Sequence, residues 1–404
     1  MPAEGGGSYP KEEKMKKLCI GLVVLMLAAP AVAADSPAGT IKLGGKIKWM
    51  YLYQSRSDQA EDFGGAPIED FITSNVELDI SGTVGEKVSY LVELQSANFF
   101  QTNVITGDTL VSNPNELGTI GVRQARIDVA NLVPMTTVTI GTFNLPVTTY
   151  QPRATNDYDL ILLPLINSYT FGANGYSPVG TGWQATGVNL AIAPADLLEL
   201  DVAYFNGYAM GGANVETDLE KSWLFNLKFK PGDGLISVAY LTEGWQEDFN
   251  GDGSSSQQNA SGWIVSGGYF TDRFEVNADW MMMTAEEYQF DDKGKETDLT
   301  WTGFQVTGGW WITDSFEVLA RYEMIDPNTE DDKDLGATAY DQLTWITIGG
   351  NYRMSEAAEV SLNYIFRGEQ GSEIDQDNNE TPLTDGKYQV LANDLLLIQV
   401  QVWQ

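Results

Sequence analysis

Charged and amide side chains recur at every second position through most of this sequence, and their types limit what they can do. The sets read Lys42, Lys46, Lys48; Glu77, Asp79; Glu93; Gln124, Arg126, Asp128; Glu199, Asp201; Asn226, Lys228; Glu275, Asn277, Asp279; Glu317, Arg321, Glu323; and Glu359, Asn363, Arg367. The 404 residues contain no histidine, so Ser–His triads, imidazole bases and His-ligated metals are ruled out. The one cysteine, Cys19, lies in a leader-like segment, which removes disulfides, thiolate nucleophiles and Cys-ligated metals from a mature chain. Carboxylate-only catalysis is all that is left to an enzyme. The simpler role for such a wall is physical: it sets the field felt by hydrated solutes that pass along it. Carboxylates outnumber cations in these sets, which predicts a mild cation preference, kept modest by screening over about 8–10 Å at physiological salt.

A second group sits between Gly141 and Gly180, the one long interval without clean alternation. A structureless connection of this length in a compact fold is usually functional. It is also too apolar (Leu160, Ile161, Leu162, Leu163, Leu165, Ile166) to lie in water. We read it as folding into the mouth of a large β-barrel and setting the bore of a pore. Arg153, Asp157 and Asp159 then stand nearest the narrowest point, with Tyr150 and Tyr158 as flanking walls. The alternative is an outer loop that packs on a neighbouring subunit.

Asp248-Phe249-Asn250-Gly251-Asp252-Gly253 matches the opening of a calcium loop, but Asn259 stands at the twelfth position, where a bidentate Glu completes the cage. Loosely bound calcium at Asp248, Asn250 and Asp252, or bridging acidic loops to lipopolysaccharide phosphates, is the most this supports; no other cofactor is expected. Met281-Met282-Met283 alternates faces along a strand and reads as soft filler, with Met282 turned the same way as Trp280.

Strands must position these groups. From Thr40 onward the hydrophobic period is two: Ile41, Leu43, Gly45, Ile47, Trp49, Tyr51 and Tyr53 share one face, and Lys42, Gly44, Lys46, Lys48 and Gln54 the other, with Met50 and Leu52 blurring the second. Sixteen strands are expected, at roughly 41–55, 69–82, 87–98, 119–130, 136–145, 181–193, 197–207 and 219–230, then 234–246, 260–271, 273–287, 300–313, 315–326, 341–354, 357–368 and 388–403. Short turns alternate with long, often acidic connections, the pattern of an antiparallel transmembrane β-barrel with short periplasmic turns and long outer loops. No mature segment is apolar for long enough to span a bilayer as a helix, so a closed barrel is the remaining way to satisfy every backbone group in lipid.

The N-terminus supplies the compartment. Residues 15–33 (two lysines, an apolar run from Leu18 to Ala29, then Ala31-Val32-Ala33) read as a secretory signal peptide. Residues 1–14 read as an extension preceding the true start, and 34–404 as one barrel domain. The net charge of −33 repels nucleic acid. Lipid and lipopolysaccharide are the expected surroundings. Aromatics fall near strand ends, with Phe274, Trp311, Phe316 and Trp403 toward the turns and Trp49, Tyr51, Trp263, Trp301, Trp345 and Tyr364 toward the loops, as two interfacial girdles would require.

Gly141-Thr-Phe-Asn-Leu-Pro146 resembles the G-x-F-x-x-P strand end and inward loop of the phosphate-selective porin O/P family. Tyr204-Phe-Asn-Gly207 is similar to its F-N-G, and Leu397-Ile-Gln-Val-Gln-Val-Trp403 to its closing strand, with Gln399 where the family places an arginine. The resemblance implies a sixteen-stranded homotrimeric porin whose third loop constricts the channel. Phosphate selectivity does not carry over, because the constricting segment holds one cation, Arg153, against Asp157 and Asp159. The expected function is passive diffusion of small hydrophilic solutes or ions across a Gram-negative outer membrane, with no enzyme activity. The alternative is a barrel that scaffolds or sheathes a surface or redox partner.

Overall fold

A computed structural model describes residues 39–54, 68–96, 120–149, 160–162, 164–168, 184–206, 221–247, 256–290, 296–326, 329, 340–371 and 394–403. The first eight strands are β1 (Gly39–Gln54), β2 (Ile68–Val84), β3 (Val88–Ser96), β4 (Ile120–Ala130), β5 (Thr136–Asn144), β6 (Gln184–Ala195), β7 (Leu198–Asn206) and β8 (Lys221–Phe229). The second eight are β9 (Gly234–Glu247), β10 (Ser256–Phe270), β11 (Phe274–Phe290), β12 (Glu296–Thr313), β13 (Phe316–Asp326), β14 (Tyr340–Ser355), β15 (Ala358–Gly371) and β16 (Leu395–Trp403). One helical turn, α1 (Leu165–Ser168), lies in the connection from β5 to β6.

Each strand pairs antiparallel with its sequence neighbours, and β16 closes on β1, with Lys46 opposite Trp403 and Gln54 opposite Leu395. The ring therefore has no free rim. In lipid an unpaired rim would leave a row of N–H and C=O groups with no water to bond them. All sixteen expected strands are present; β16 starts at Leu395, and 388–393 lies outside the described residues. The tight turns at one end use backbone that only small residues accept cheaply: Gly85 and Gly232 have φ of +64° and +58°. The connections at the other end are longer and lie largely outside the described residues, as do the expected extension 1–14 and signal 15–33.

Polarity across the wall is the reverse of a soluble sheet. On β8, Ser222, Leu224 and Asn226 are buried while Trp223, Phe225, Leu227 and Phe229 are exposed. The same alternation buries Lys46, Glu77, Asp201, Glu317, Arg321 and Glu359 and exposes Ile236, Trp280, Val306, Ile348 and Leu362 on other strands. Burial of the polar set and exposure of the apolar set define an inward polar face and an outward face suited to hydrocarbon. Outward aromatics gather at both ends: Trp49, Tyr204, Trp223, Trp263 and Tyr364 toward the long connections, Phe229, Phe274, Trp310, Phe316 and Tyr352 toward the turns.

Four expected girdle members are placed differently. Trp301 and Trp345 are 0% and 1% exposed and point into the barrel. Trp311, opposite Glu317, and Trp403, opposite Lys46, are in the inward phase, and Trp310 takes the outward place. The reason is a feature of the interior. Near its loop end the inward face is apolar, and Met50 and Leu52, which blurred the first strand's pattern, belong to that apolar zone.

Candidate functional site

The inward face has two levels. Toward the loop end lies one continuous apolar cluster that includes Leu52, Phe205, Leu241, Met283, Trp301, Ile325, Leu343, Trp345, Ile365 and Leu397. Toward the turns the inward positions are charged or amide-bearing. The β5–β6 connection joins the two levels. Leu145, Val147, Leu162, Leu165 and Ile166 are part of the apolar cluster, and Leu160 is buried too. Two wall glycines make the seat: a Cβ on Gly303 would stand 2.7 Å from Ile166 Cγ2, and one on Gly349 would stand 3.0 Å from Leu160 Cδ2. Glycine inside a strand here marks the close approach of another piece of chain.

Hydrogen bonds fix the path of this connection. Asn226 on β8 donates to the Pro146 carbonyl, and Ser266 on β10 donates to Val147 O at 3.4 Å. Thr149 gives its N–H and its hydroxyl to the two oxygens of Asp279 on β11, at 2.9 and 2.8 Å. Asn363 on β15 accepts from Ile161 N–H at 2.7 Å. On β13, Glu323 accepts from Leu165 N–H at 2.6 Å and Arg321 donates to Leu162 O at 2.9 Å. In a ring of sixteen, β5 and β13 are eight places apart, diametrically opposite. The described parts of the third long connection therefore lie inside the ring and dock on the wall from β8 to β15, β13 included.

The near wall is built differently. Glu77 and Asp79 on β2 and Glu93 on β3 bring carboxylate oxygens within 4.8 Å of one another. Asp79 is directly opposite Glu93, a like-charge cross-strand pair that is unfavourable unless cations intervene. They do. Lys46 lies 3.8 Å from Glu77, and Arg123 reaches Glu93 at 2.5 Å and Glu77 at 3.6 Å. Gln124 donates to the other Glu93 oxygen at 2.8 Å, and Lys48 shares the inward face.

Arg123 is an inward-facing charge that alternation misses. Gln124, Arg126 and Asp128 define the inward phase of β4, which would turn Arg123 toward lipid. The pairing register slips between Glu93 and Leu94, so that β4 carries one extra residue there. Such a bulge re-aims a side chain, and both Arg123 and Gln124 meet Glu93. A signal was present in the sequence: an arginine facing the bilayer midplane costs about 2–4 kcal/mol, so a strict alternation that puts one there is suspect.

The other expected lining residues also lie on the inward side. Arg126 pairs with Asp128 at 3.4 Å, and Asp128 accepts from Thr139 at 2.6 Å. Lys228 bridges Asp201 at 2.6 Å and Glu199 at 2.8 Å near the turns. Asp279 is held by Thr149 and by Gln305 at 2.7 Å. Arg321 pairs with Glu323 at 2.8 Å, and Arg367 lies 5.0 Å from the centroid of the Trp345 ring. Arg321 and Arg367 are 1% and 3% exposed: they face inward but are covered. The expected constriction residues Tyr150, Arg153, Asp157, Tyr158 and Asp159, and the calcium-loop candidates Asp248, Asn250 and Asp252, lie outside the described residues.

A closed sixteen-stranded ring with an apolar exterior and a charged interior crossed by its own third loop defines the class: an outer-membrane β-barrel channel. The sequence matches the Gram-negative porin family over residues 21–371, and the chain belongs to that family. No curated protein matches it significantly. Among solved structures it is similar to the outer membrane channel DcaP of Acinetobacter baumannii, with a TM-score of 0.59 at 13% identity, covering 92% of this chain and 99% of that one. It is similar to an anion-selective porin from Comamonas acidovorans, with a TM-score of 0.58 at 11% identity, covering 91% and 99%. It is also similar to the trimer form of OmpT of Vibrio cholerae, with a TM-score of 0.52 at 15% identity, covering 91% and 100%. At these identities the likeness is one of fold. The porin family is one of channels, not of enzymes.

Proposed function

We propose that the chain forms a water-filled passage for small hydrophilic solutes and ions, with a mild preference for cations, in a symmetric trimer exported by its 15–33 leader. The supporting observation is the reversal of polarity across a closed wall, with paired charges inside and hydrocarbon-facing side chains outside. The net charge of −33 favours cations near the mouth. The trimer form of a similar fold supports the assembly. Acidic outer loops, with Asp248, Asn250 and Asp252 among their residues, would hold calcium loosely against lipopolysaccharide phosphates. The third loop, crossing from β5 to β13, argues against a threaded partner, so a sheath is the poorer reading. The likeness of the Gly141–Pro146 strand end to phosphate-selective porins is a matter of descent in this reading, without phosphate specificity.

The test is reconstitution of refolded protein into planar bilayers under a KCl gradient. Discrete conductance steps with a reversal potential displaced modestly toward that of K⁺ are expected. Absence of steps from a product whose electrophoretic mobility still shifts on boiling would remove the channel, and strong anion preference would remove the selectivity.

A further inference from the structure

We infer that Arg123, delivered to the interior by the β4 bulge, is the residue that decides the ion preference of the passage; the inference rests on the channel reading above. Two independent observations carry it. The first is the register slip at Glu93/Leu94, which moves a guanidinium from the lipid phase to the inward phase. The second is what it meets there. Three carboxylates from β2 and β3 converge within 4.8 Å, and Arg123 lies within 4 Å of two of them, Glu93 and Glu77.

Charge bookkeeping on this wall shows why one residue matters. The group joins three carboxylates, Glu77, Asp79 and Glu93, with the amines of Lys46 and Lys48 and the guanidinium of Arg123. Removing the guanidinium takes one positive charge from it. Its members are not held in a fully dry site: the side chain of Arg123 is 11% exposed, and those of Glu77 and Glu93 are 6% and 7% exposed. The described parts of the third loop hydrogen-bond to β8, β10, β11, β13 and β15, so this charged group belongs to the other side of the bore. Ions passing between loop and wall feel whatever charge the group leaves uncompensated. The net charge favours cations near the mouth, and how completely a bulged arginine neutralises this carboxylate cluster decides the preference along the wall.

The experiment compares native protein, Arg123→Gln, Arg123→Lys and the double variant Glu77→Gln with Glu93→Gln in planar bilayers under a KCl gradient. Arg123→Gln is expected to raise the K⁺/Cl⁻ permeability ratio by about threefold at 0.1 M salt, an effect that shrinks toward unity at 1 M as screening tightens. Arg123→Lys keeps the charge and should stay within about 1.5-fold of native. The double variant should move the ratio the opposite way. A ratio unchanged in Arg123→Gln channels of normal boiling-dependent mobility overturns the inference while leaving the channel standing. Should Arg123→Gln fail to fold, the double variant decides, and an unmoved ratio there overturns it equally. If native protein gives no conductance steps, the channel reading fails and this inference with it.

Discussion

Two arcs of the same wall, β1–β4 and β8–β15, carry the same pattern of polar residues inward and apolar residues outward, yet their inward groups are used differently. On β1–β4, acids and bases of the wall pair with one another: Lys46 with Glu77, Arg123 with Glu77 and Glu93, Arg126 with Asp128. On β8–β15, Asn226, Asp279, Arg321, Glu323 and Asn363 bond to the backbone of the third loop. The first arc is a network of paired charges. The second is a socket. Buried polar groups need partners; on the first arc those shown are side chains, and on the second the third loop's backbone is added to them. Above the socket the wall turns apolar, because the segment it receives is rich in leucine and isoleucine.

This contrast can be broken most directly at the apolar contact. Leu162→Ser combined with Leu165→Ser removes two buried side chains whose truncation typically costs about 2–5 kcal/mol each, more than a single hydrogen bond at about 1 kcal/mol. The loop should leave the wall, and single-channel conductance should rise about twofold or more, since a constriction limits conduction. A native conductance would mean that the loop is held by something other than its leucines. Gly349→Val tests the notch rather than the plug. The added Cβ would collide with Asn363 Nδ2 and stand 3.0 Å from Leu160 Cδ2, so the amide that holds Ile161 and the leucine beside it must both shift. Overpacking costs about 1–3 kcal/mol, and an intermediate rise in conductance with added open-channel noise is expected. Quiet, native-like recordings would show that the notch is not a seat. Thr149→Val is the mildest change. It removes the hydroxyl bond to Asp279, which keeps the Thr149 N–H and Gln305 as donors, weakening the latch by about 1 kcal/mol. Mean conductance should hold and brief openings become more frequent; a conductance as high as that of the double leucine variant would show that one hydroxyl holds the loop.

Much of this was legible in residue order. Period-two alternation and the alternation of short and long connections give sixteen strands and their closure. Inward positions such as Lys46, Glu77, Asp201 and Glu359 follow from the same phase. The errors came where phase and environment separate. Trp301 and Trp345 look like girdle residues because a strand end and an aromatic ring suggest an interface, but an apolar interior level lies at the same height. Arg123 looks lipid-facing because alternation does not record a bulge; an arginine in the lipid phase hints at one, and the strand pairing places it. Gly303 and Gly349 read as ordinary strand glycines until the loop that occupies them is in place.

The sequence by itself determined the wall, because facing hydrocarbon or facing water is a choice made residue by residue and recorded at every second position. Tertiary structure decided how the inward groups are spent, because a partner across the bore, such as Glu323 for Leu165, is fixed by the circumference of the ring and not by proximity along the chain.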